Sequence, residues 1–587
     1  MRSLFAAALV IPLTALALTA PPPVRSTDEG TQSTADAGLR VPSFDRSERV
    51  RVEAVISYIR YLFEPKQALI LPSGNDPFFF FAYNDNLAHV TTVVFNESEF
   101  STTASWTYTD IVTWTSATRL RYVSPSAYEE PTGGTWYPQV TFNTYNTAGT
   151  DTTHYLYDTG GVGAGTWSGQ LDVEGPTYDY YLPLTEAGPG NVVYMDGQAR
   201  DVAGSSHVFK SFNGTTGTIV DPPGEEMIFP SSSTWGPDPV YGQGYENSQL
   251  VYRGNLIVIL LGGFRTNVYT DPNNPLLVAY RASSDGGNTW TANTWLDQLT
   301  VPDLPGLIPG IQGHYSNSFF DALIDQSENL HVLAAVCDSG YYGNSSELFG
   351  LYDMHQVEGQ WTASQITDGT YPTFDPRALL GGDSWIHSPS IAEGADGTLI
   401  ACWNDMSDTA TTGSTLTGYN GIWMSLSHDG GMTWSDEIKV AGQAGQDEYF
   451  SRLVPTTTAM AGADSGYAYV LTMPVTAANQ NGPLDIVRMP YMTLAPPELT
   501  GTPAADVLTL SWNAVGNASS YKIYLGYELG FPSGGATNLL GETSSITFDV
   551  DISTMPDAVP WYFVARSVAG GAESLPSDLL GAFRRIY

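Results

Sequence analysis

The sequence predicts an all-β protein, built mainly as a β-propeller of six or seven blades and followed by a second β module. Three observations favour this fold: abundant turn and strand residues, a passage that recurs along the chain, and a change of pattern near residue 496. Glycine and proline account for 59 and 38 of the 587 residues, which is typical of short strands joined by turns. The length exceeds the ~100–200 residues of one ordinary domain, so a large repeat fold or several domains are expected.

The net charge excludes two classes of partner. Acidic residues outnumber basic ones 61 to 23, which gives a formal net charge of −38. Such a field repels phosphate backbones and anionic lipid headgroups, so we expect no nucleic-acid partner and no membrane insertion. A hydrophobic content of 42% with 12% aromatic residues is too high for a disordered chain.

The N-terminal region predicts export. In residues 1–20, Arg2 precedes an apolar run from Leu4 to Leu18, which is the pattern of a signal peptide. Residues 21–47 are rich in Pro, Thr and acidic residues without an apolar period, so they are predicted to be a disordered leader. Residues 48–63 carry apolar residues at near-helical spacing and predict a short helix. The mature protein is therefore expected to be secreted or displayed at the cell surface.

One pattern recurs between residues 48 and 495: a Ser or Asn start, an apolar strand, an acidic or Gly turn, and a very apolar strand. The clearest copies begin at Asn247, Ser316, Ser388 and Ser451, and weaker ones lie near Phe78, Tyr137 and Val192. A four-stranded sheet of this kind cannot cover both of its faces, whereas several sheets arranged about an axis cover one another. We therefore predict a propeller over residues 48–495. Its last blade lacks an obvious fourth strand, for which Lys66–Leu71 is the predicted donor.

Two turns share the motif Ser-x-Asp-x-Gly-x-Thr-Trp, one at Ser283–Trp290 and one at Ser427–Trp434. In such a turn the Ser and Asp side chains bond the backbone, Gly takes a positive φ, and Trp packs against the sheet. These residues resemble the Asp-box, or BNR, repeats of the sialidase-like propeller superfamily. The resemblance implies a structural role for both turns and burial of both tryptophans. It implies a propeller fold shared by glycosidases, polysaccharide lyases and sugar-binding proteins.

Residues 496–587 are predicted to form a separate module. A Pro-Pro break precedes strands of alternating character, a pattern typical of a β-sandwich. Trp512 in the second strand, and Tyr562 alternating with Val564, resemble the fibronectin type III family. Because the boundary is rich in proline, we expect few contacts across it and independent folding of the two parts.

The candidate functional residues lie where the innermost strands begin, since those positions converge at one end of a propeller axis. They are Glu246, His314, His387, Tyr449 and Arg452. Aromatic rings stack on pyranose faces, and polar groups bind hydroxyls or a carboxylate. Arg452 would gain most from the carboxylate of an acidic sugar. For each residue taken alone, packing or capping at a strand start is the alternative interpretation.

These candidates predict an extracellular glycan or glycoprotein as the partner, and three kinds of activity stay open. Resemblance to sialidases implies an exo-glycosidase with an arginine cluster, a Tyr–Glu pair and an Asp, although the Arg-Ile-Pro segment of that family is absent here. A propeller lyase would use His314 or His387 together with Tyr. A non-enzymatic adhesion protein would only bind.

No cofactor and no metal ion are expected from the sequence motifs. The two cysteines, Cys337 and Cys402, end strongly apolar runs and are interpreted as buried thiols, with one disulfide as the alternative.

Overall fold

The computed structural model describes residues 48–56 and, with internal gaps, residues 68–582; the longer gaps are 230–239, 266–276, 307–319, 338–347 and 368–386. The predicted signal peptide and leader lie outside the described residues. Besides strands, the described part contains four short 3-10 helices: Glu97–Glu99, Thr103–Ser105, Pro189–Asn191 and Ile552–Thr554. Among the helices described, none has the length and apolar character needed to cross a membrane.

Seven antiparallel sheets follow one another between residues 48 and 492 of the described chain. With strands numbered in chain order, β1 is Glu48–Ile56 and the first sheet contains β2 (Ala68–Leu71), β3 (Phe78–Asp85), β4 (His89–Asn96) and β5 (Thr107–Thr113). The second contains β6 (Thr118–Glu129), β7 (Trp136–Asn146), β8 (Asp151–Tyr157) and β9 (Leu171–Asp172). The third contains β10 (Tyr180–Ala187), β11 (Val192–Ala199), β12 (Ser206–Asn213) and β13 (Glu225–Phe229).

The remaining four sheets follow the same plan. The fourth contains β14 (Val240–Tyr241), β15 (Ser248–Arg253), β16 (Leu256–Arg265), β17 (Leu277–Ser283) and β18 (Thr294–Leu296). The fifth contains β19 (Phe320–Ile324), β20 (Leu330–Cys337), β21 (Leu348–Val357) and β22 (Gln360–Thr367). The sixth contains β23 (His387–Glu393), β24 (Leu399–Thr412), β25 (Thr415–Ser427) and β26 (Ile438–Ala441). The seventh contains β27 (Asp447–Leu453), β28 (Thr458–Ala459), β29 (Ser465–Val475) and β30 (Gly482–Met492).

Strand β1 completes the seventh sheet. It pairs antiparallel with β30, with Val50 opposite Ile486. The predicted helix is therefore wrong for residues 48–56, and residues 57–63 lie outside the described part. The predicted donor Lys66–Leu71 is also wrong, because Ala68–Leu71 is β2 and pairs with β3 of the first sheet. The physical reason is the alternation of apolar and charged residues over 48–52, which presents one apolar face to the core beside β30.

The hydrophobic core of these seven sheets consists of seven clusters in the described residues, each between two successive sheets, with the last between the seventh sheet and the first. The run in β3 shows how one strand serves two clusters. Phe79 and Phe81 pack with Tyr469 of the seventh sheet, whereas Phe80 packs with Val140 of the second. Because every sheet is covered on both faces, its strands are apolar on both sides. The prediction of an all-β propeller is confirmed.

The C-terminal residues form two further antiparallel sheets around one core that contains Trp512, Tyr521, Trp561 and Phe563. Their strands are β31 (Thr500–Ala504), β32 (Val507–Ser511), β33 (Ser520–Gly526), β34 (Leu539–Thr543), β35 (Thr547–Asp551), β36 (Trp561–Ala569), β37 (Ala572–Glu573) and β38 (Leu580–Ala582). One sheet has the order β31-β32-β35 and the other β34-β33-β36, with β37 and β38 both paired to β36. The fibronectin type III assignment stays a prediction.

The C-terminal sheets contact the Ser427–Trp434 turn of the sixth sheet. Arg566 Nη1 donates to Asp429 Oδ2 at 3.1 Å, and the Glu573 backbone N–H donates to Thr433 Oγ1 at 3.2 Å. His428 and Ser574 also form a parallel β-bridge. These polar contacts join the two parts, and their independent folding stays a prediction. Polar groups of the turn that would otherwise face water bind the C-terminal sheets.

The two motif turns share the hydrogen bonds made among their Ser, Asp, Gly and Thr residues. The Ser side chain accepts from the Gly backbone N–H, at 2.8 Å for Ser283 and 2.9 Å for Ser427. Gly287 and Gly431 have φ values of +92° and +88°, in the left-handed region that favours glycine. The expected burial is confirmed for Trp434 only. Trp290 is half-buried: its indole N–H bonds the Gly287 carbonyl at 2.9 Å, and its ring packs edge-on against Phe209.

Candidate functional site

A cavity of about 320 Å³ lies on the axis where the innermost strands of all seven sheets meet. The strands that line it are β2, β6, β10, β15, β19, β23 and β27, together with Trp136 at the start of β7 and the residues that follow β27. The lining residues come mostly from the final parts of these strands, such as Ile391 and Glu393 of β23 and Leu453 of β27. The cavity is therefore at the end of the axis where the innermost strands finish, opposite the end that the sequence analysis favoured. Its volume is that of a small-ligand site.

Arg253 is the central charged group of the cavity. Its Nη1 donates to the Ile324 carbonyl at 2.8 Å and to Glu393 Oε2. The Gln326 backbone N–H donates to Glu393 Oε1 at 2.8 Å. Burial raises the pKa of Glu393, and the contacts with Gln326 and Arg253 oppose that rise. The guanidinium thus already has a carboxylate partner.

Two more carboxylates, those of Glu186 and Asp321, line the same cavity. Asp321 accepts hydrogen bonds from Ser390 Oγ and the Ile391 backbone N–H, both at 2.8 Å. Burial raises the pKa of Asp321, and the charge of Arg452 opposes that rise. Arg253 and Arg452 offset the charges of Glu393 and Asp321, so the net negative charge of the cavity wall comes from Glu186.

Two aromatic rings complete the wall. Trp136 Nε1 donates to the Pro72 carbonyl at 3.0 Å, and Tyr252 OH donates to the Gly254 carbonyl at 2.6 Å. Burial raises the pKa of Tyr252 to about 12. Because both polar atoms are bound to backbone, these side chains offer ring surface to a ligand rather than acid–base chemistry.

The structure places three of the five predicted site residues on two adjacent innermost strands. His387 is the first residue of β23, and Tyr449 and Arg452 lie in β27. Leu453 N donates to Ser390 Oγ at 3.0 Å, which joins the two strands. Glu246 and His314 lie outside the described residues. Whether these positions share a pocket stays a prediction.

Arg452 is the predicted residue whose side chain is described, and it is 3% exposed. Its Nη1 donates to the Pro389 carbonyl at 2.9 Å, and its charge acts on Asp321. The guanidinium therefore holds β27 to β23 and compensates a buried carboxylate of β19.

The sequence analysis missed Glu186, Arg253, Asp321 and Glu393. A signal for two of them is present in the repeated passages. With Ser248 aligned on Ser388, Arg253 and Glu393 occupy the same position, five residues later. A charged residue at the same late position in two repeats indicates a shared environment at the end of the innermost strand.

One group in the described part of the chain could hold a metal ion, and it lies outside the axial cavity: His331, Asp353 and His355. Burial alone would lower the pKa of His331, but Asp353 and Asp325 outweigh burial and raise it to about 9. Cys402 is a buried free thiol, and burial raises its pKa. The buried-thiol interpretation is confirmed for Cys402, and the disulfide alternative is wrong.

No protein-family model matches the chain, and no curated protein matches its sequence. Among solved structures, the polysaccharide lyase Uly1 is similar with a TM-score of 0.42 at 10% identity, over 75% of this chain and 98% of that one. A Trypanosoma rangeli sialidase mutant with trans-sialidase activity has a TM-score of 0.35 at 10% identity, over 92% of this chain and 93% of that one. The Aleuria aurantia lectin bound to α-methyl-L-fucoside has a TM-score of 0.32 at 11% identity, over 64% of this chain and 96% of that one. Similarity at this level carries no argument about activity.

Proposed function

We propose that this chain is a secreted, seven-bladed propeller with a fibronectin type III-like module at 496–587, and that its axial cavity binds a sugar residue of an extracellular glycan. One observation supports the proposal above others. The innermost strands of all seven sheets meet in one cavity of about 320 Å³ that combines aromatic rings with fixed polar groups. Concave sites that mix apolar walls with a few placed polar groups are typical of small-ligand binding.

The composition of the wall favours a neutral sugar. Trp136 and Tyr252 supply ring surfaces on which a pyranose can stack. Glu186 and Glu393 supply acceptors for sugar hydroxyls. Since Arg253 is already paired with Glu393, and Arg452 offsets Asp321, a sialic acid or uronate carboxylate would meet the Glu186 carboxylate rather than an available guanidinium.

Binding of carbohydrates to the full chain tests this proposal. Isothermal titration with neutral, sialylated and uronate oligosaccharides should show binding of a neutral sugar only. Trp136→Ala should weaken that binding about fivefold, because stacking on one aromatic ring contributes about 1 kcal/mol. Trp290→Ala is the matched control: Trp290 is a half-buried tryptophan outside the cavity, and its loss should leave the affinity unchanged. Preference for an acidic sugar, or equal effects of the two variants, would contradict the proposal.

A second candidate is a sialidase-like or lyase activity at the opposite end of the axis, where Glu246, His314, His387, Tyr449 and Arg452 belong to the strand starts. An observation in the third sheet favours a ligand at that end. Asp196 Oδ1 and both polar atoms of Gln198 are buried without a hydrogen-bond partner, near the end of β11. Turnover of sialyl or uronate substrates that is lost in both His387→Gln and Tyr449→Phe would support this candidate. Absence of turnover would contradict this candidate, and glycan binding would remain as the proposed function.

A further inference from the structure

We propose that His331, Asp353 and His355 bind a divalent transition-metal ion of the zinc class, in a closed structural site beneath the Ser427–Trp434 turn. The site lies between the fifth and sixth sheets and does not depend on the glycan proposal.

Strand register brings the three side chains together. In the pairing of β20 with β21, His331 lies opposite His355 and Leu333 lies opposite Asp353. Asp353 and His355 are two residues apart, so both project from the same face of β21. His331, opposite His355 on β20, projects from that face of the sheet as well. All three residues are fully buried. The cluster is therefore built into the centre of a sheet rather than into a loop.

The three donor atoms lie within 4.8 Å of one another, with Asp353 Oδ2 near both imidazoles. Asp353 Oδ2 lies 3.0 Å from His331 Nδ1 and 3.3 Å from His355 Nδ1. In a tetrahedral zinc site with bonds of about 2.0–2.2 Å, ligand atoms lie about 3.3 Å apart. The two imidazole rings are nearly parallel, at 16° with centroids 5.4 Å apart, and His355 Nδ1 also lies 3.3 Å from the Asp353 carbonyl. Binding of an ion would therefore require the rings to turn until both Nδ1 lone pairs face it. Two imidazoles with one carboxylate suit zinc and related ions, whereas calcium and magnesium prefer oxygen ligands alone.

A second carboxylate orients one of the imidazoles. His331 Nε2 lies 3.4 Å from Asp325 Oδ2. Asp325 is itself fixed by the backbone N–H groups of Ser327 at 2.8 Å and Asn329 at 2.7 Å. If Asp325 holds the proton on Nε2, an ion can replace the proton of Nδ1, which faces Asp353 Oδ2 at 3.0 Å. This carboxylate–histidine relationship is the usual outer environment of histidine ligands.

The Ser427–Trp434 turn closes the site. A Cβ atom at Gly431 would lie 2.3 Å from Asp353 Oδ2 and 3.1 Å from His331 Cε1, so the turn backbone lies directly over the cluster. A site closed in this way stabilises the fold instead of presenting an ion to substrate. The ion would enter as the chain folds.

Metal content of the purified full chain tests the inference. Protein produced with zinc in the medium should contain one zinc ion per chain by mass spectrometry, and His355→Gln should lose it. His207→Gln is the matched control, because His207 Nδ1 contacts Asp196 Oδ2 at 3.2 Å in another buried His–Asp pair of the third sheet. This control should retain the ion. A cobalt-loaded chain should show the visible absorption of tetrahedral cobalt.

A measurement on the unmodified protein decides the question if His355→Gln fails to fold. X-ray absorption of the zinc-loaded chain should show two imidazole ligands and a carboxylate. Zinc-free protein after production with zinc, or a bound ion without imidazole ligands, would overturn the inference and leave the cluster as a metal-free ion network. Either result leaves the glycan titration unaffected, so the two proposals fail separately.

Discussion

Arg566 and Asp429 form a buried ion pair 3.1 Å long, with side-chain exposures of 6% and 0%, which joins β36 to a turn of the sixth sheet. The corresponding carboxylate of the other motif turn, Asp285, is exposed. Hydrogen bonds from Thr289 lower the pKa of Asp285. Burial raises the pKa of Asp429, although Thr433 and Arg566 oppose that rise. The same sequence motif therefore has two electrostatic environments, because the C-terminal sheets cover Asp429 and place Arg566 beside it, whereas Asp285 faces solvent.

We expect Arg566→Ala to lower the free energy of unfolding by about 3–5 kcal/mol, because it leaves the Asp429 carboxylate buried without its cation. Urea unfolding of the full chain measures this loss. Adding Asp429→Asn to Arg566→Ala should recover part of the stability, since the uncompensated charge is then removed. Asp285→Asn is the control, because it measures the stability lost when the Asp of an exposed motif turn is changed. A loss from Arg566→Ala no larger than that from Asp285→Asn would show that the pair does not hold the C-terminal sheets.

The two motif tryptophans should differ in their contribution to stability. Trp434 is 9% exposed and packs between the fifth and sixth sheets, so Trp434→Ala should cost about 3–5 kcal/mol, as is typical of large-to-small changes in a core. Trp290 is half-buried, and Trp290→Ala should cost clearly less. Chemical unfolding of both variants measures the difference. Equal losses would mean that the burial of the motif tryptophan does not determine its contribution to stability.

The sheets and the two turns were predictable from the sequence because their signals are local. A motif such as that of Ser427–Trp434 fixes its own hydrogen bonds, and apolar strands separated by Gly or Asp fix the position of each sheet. Strand β1 was not predictable in this way. Over 48–63 its apolar residues also fit a helix, and the partner that decides between the two, β30, lies more than 400 residues later.

The axial cavity was not predictable because its polar groups depend on contacts between sheets. Arg253 meets Glu393 only after β15 and β23 have been placed around the axis. In the same way, Arg452 looks like a free ligand for an acidic sugar until Asp321 and the Pro389 carbonyl are placed beside it. A single sequence gives no measure of which charge will compensate which.

Arg49 should stabilise the ring through β1. Its guanidinium contacts Glu448 Oε1 at 2.6 Å and Asp485 Oδ2 at 3.3 Å, and both carboxylates are 1% exposed. Arg49→Ala should cost about 3 kcal/mol, because two buried carboxylates lose a cation. Arg51→Ala is the matched control, since Arg51 is 55% exposed and contacts Asp485 alone. Thermal unfolding should show a clearly smaller effect for this second variant.

The loss of stability caused by Arg49→Ala should be smaller at acidic pH. Burial raises the pKa of Glu448, and Arg49 opposes that rise, so removing Arg49 raises the pKa further. The carboxyl group then becomes neutral more readily as the pH falls. We expect the stability difference between wild type and Arg49→Ala to shrink between pH 7 and pH 5. A difference that is constant over this range would show that Glu448 is not the group left without compensation.

His428 should make the fold sensitive to mild acid. It is 9% exposed, and its Nδ1 lies 3.1 Å from Thr398 Oγ1. Burial lowers its pKa to about 4, and the charge of Asp396 opposes this only in part. In the unfolded chain the imidazole has a pKa of about 6.5. Between these two values the unfolded chain binds a proton that the folded chain does not, so stability is present above pH 6.5 and is lost as the pH falls towards 4.

The difference of the two pKa values corresponds to a loss of about 3 kcal/mol. Urea unfolding of wild type and of His428→Asn between pH 7.5 and pH 4 isolates this effect, because the many carboxylates contribute equally to both proteins. We expect wild type to lose stability relative to His428→Asn across that range. A difference between the two proteins that does not vary with pH would show that the imidazole becomes protonated without unfolding. In that case the contact between the C-terminal sheets and the Ser427–Trp434 turn would have to admit water to His428.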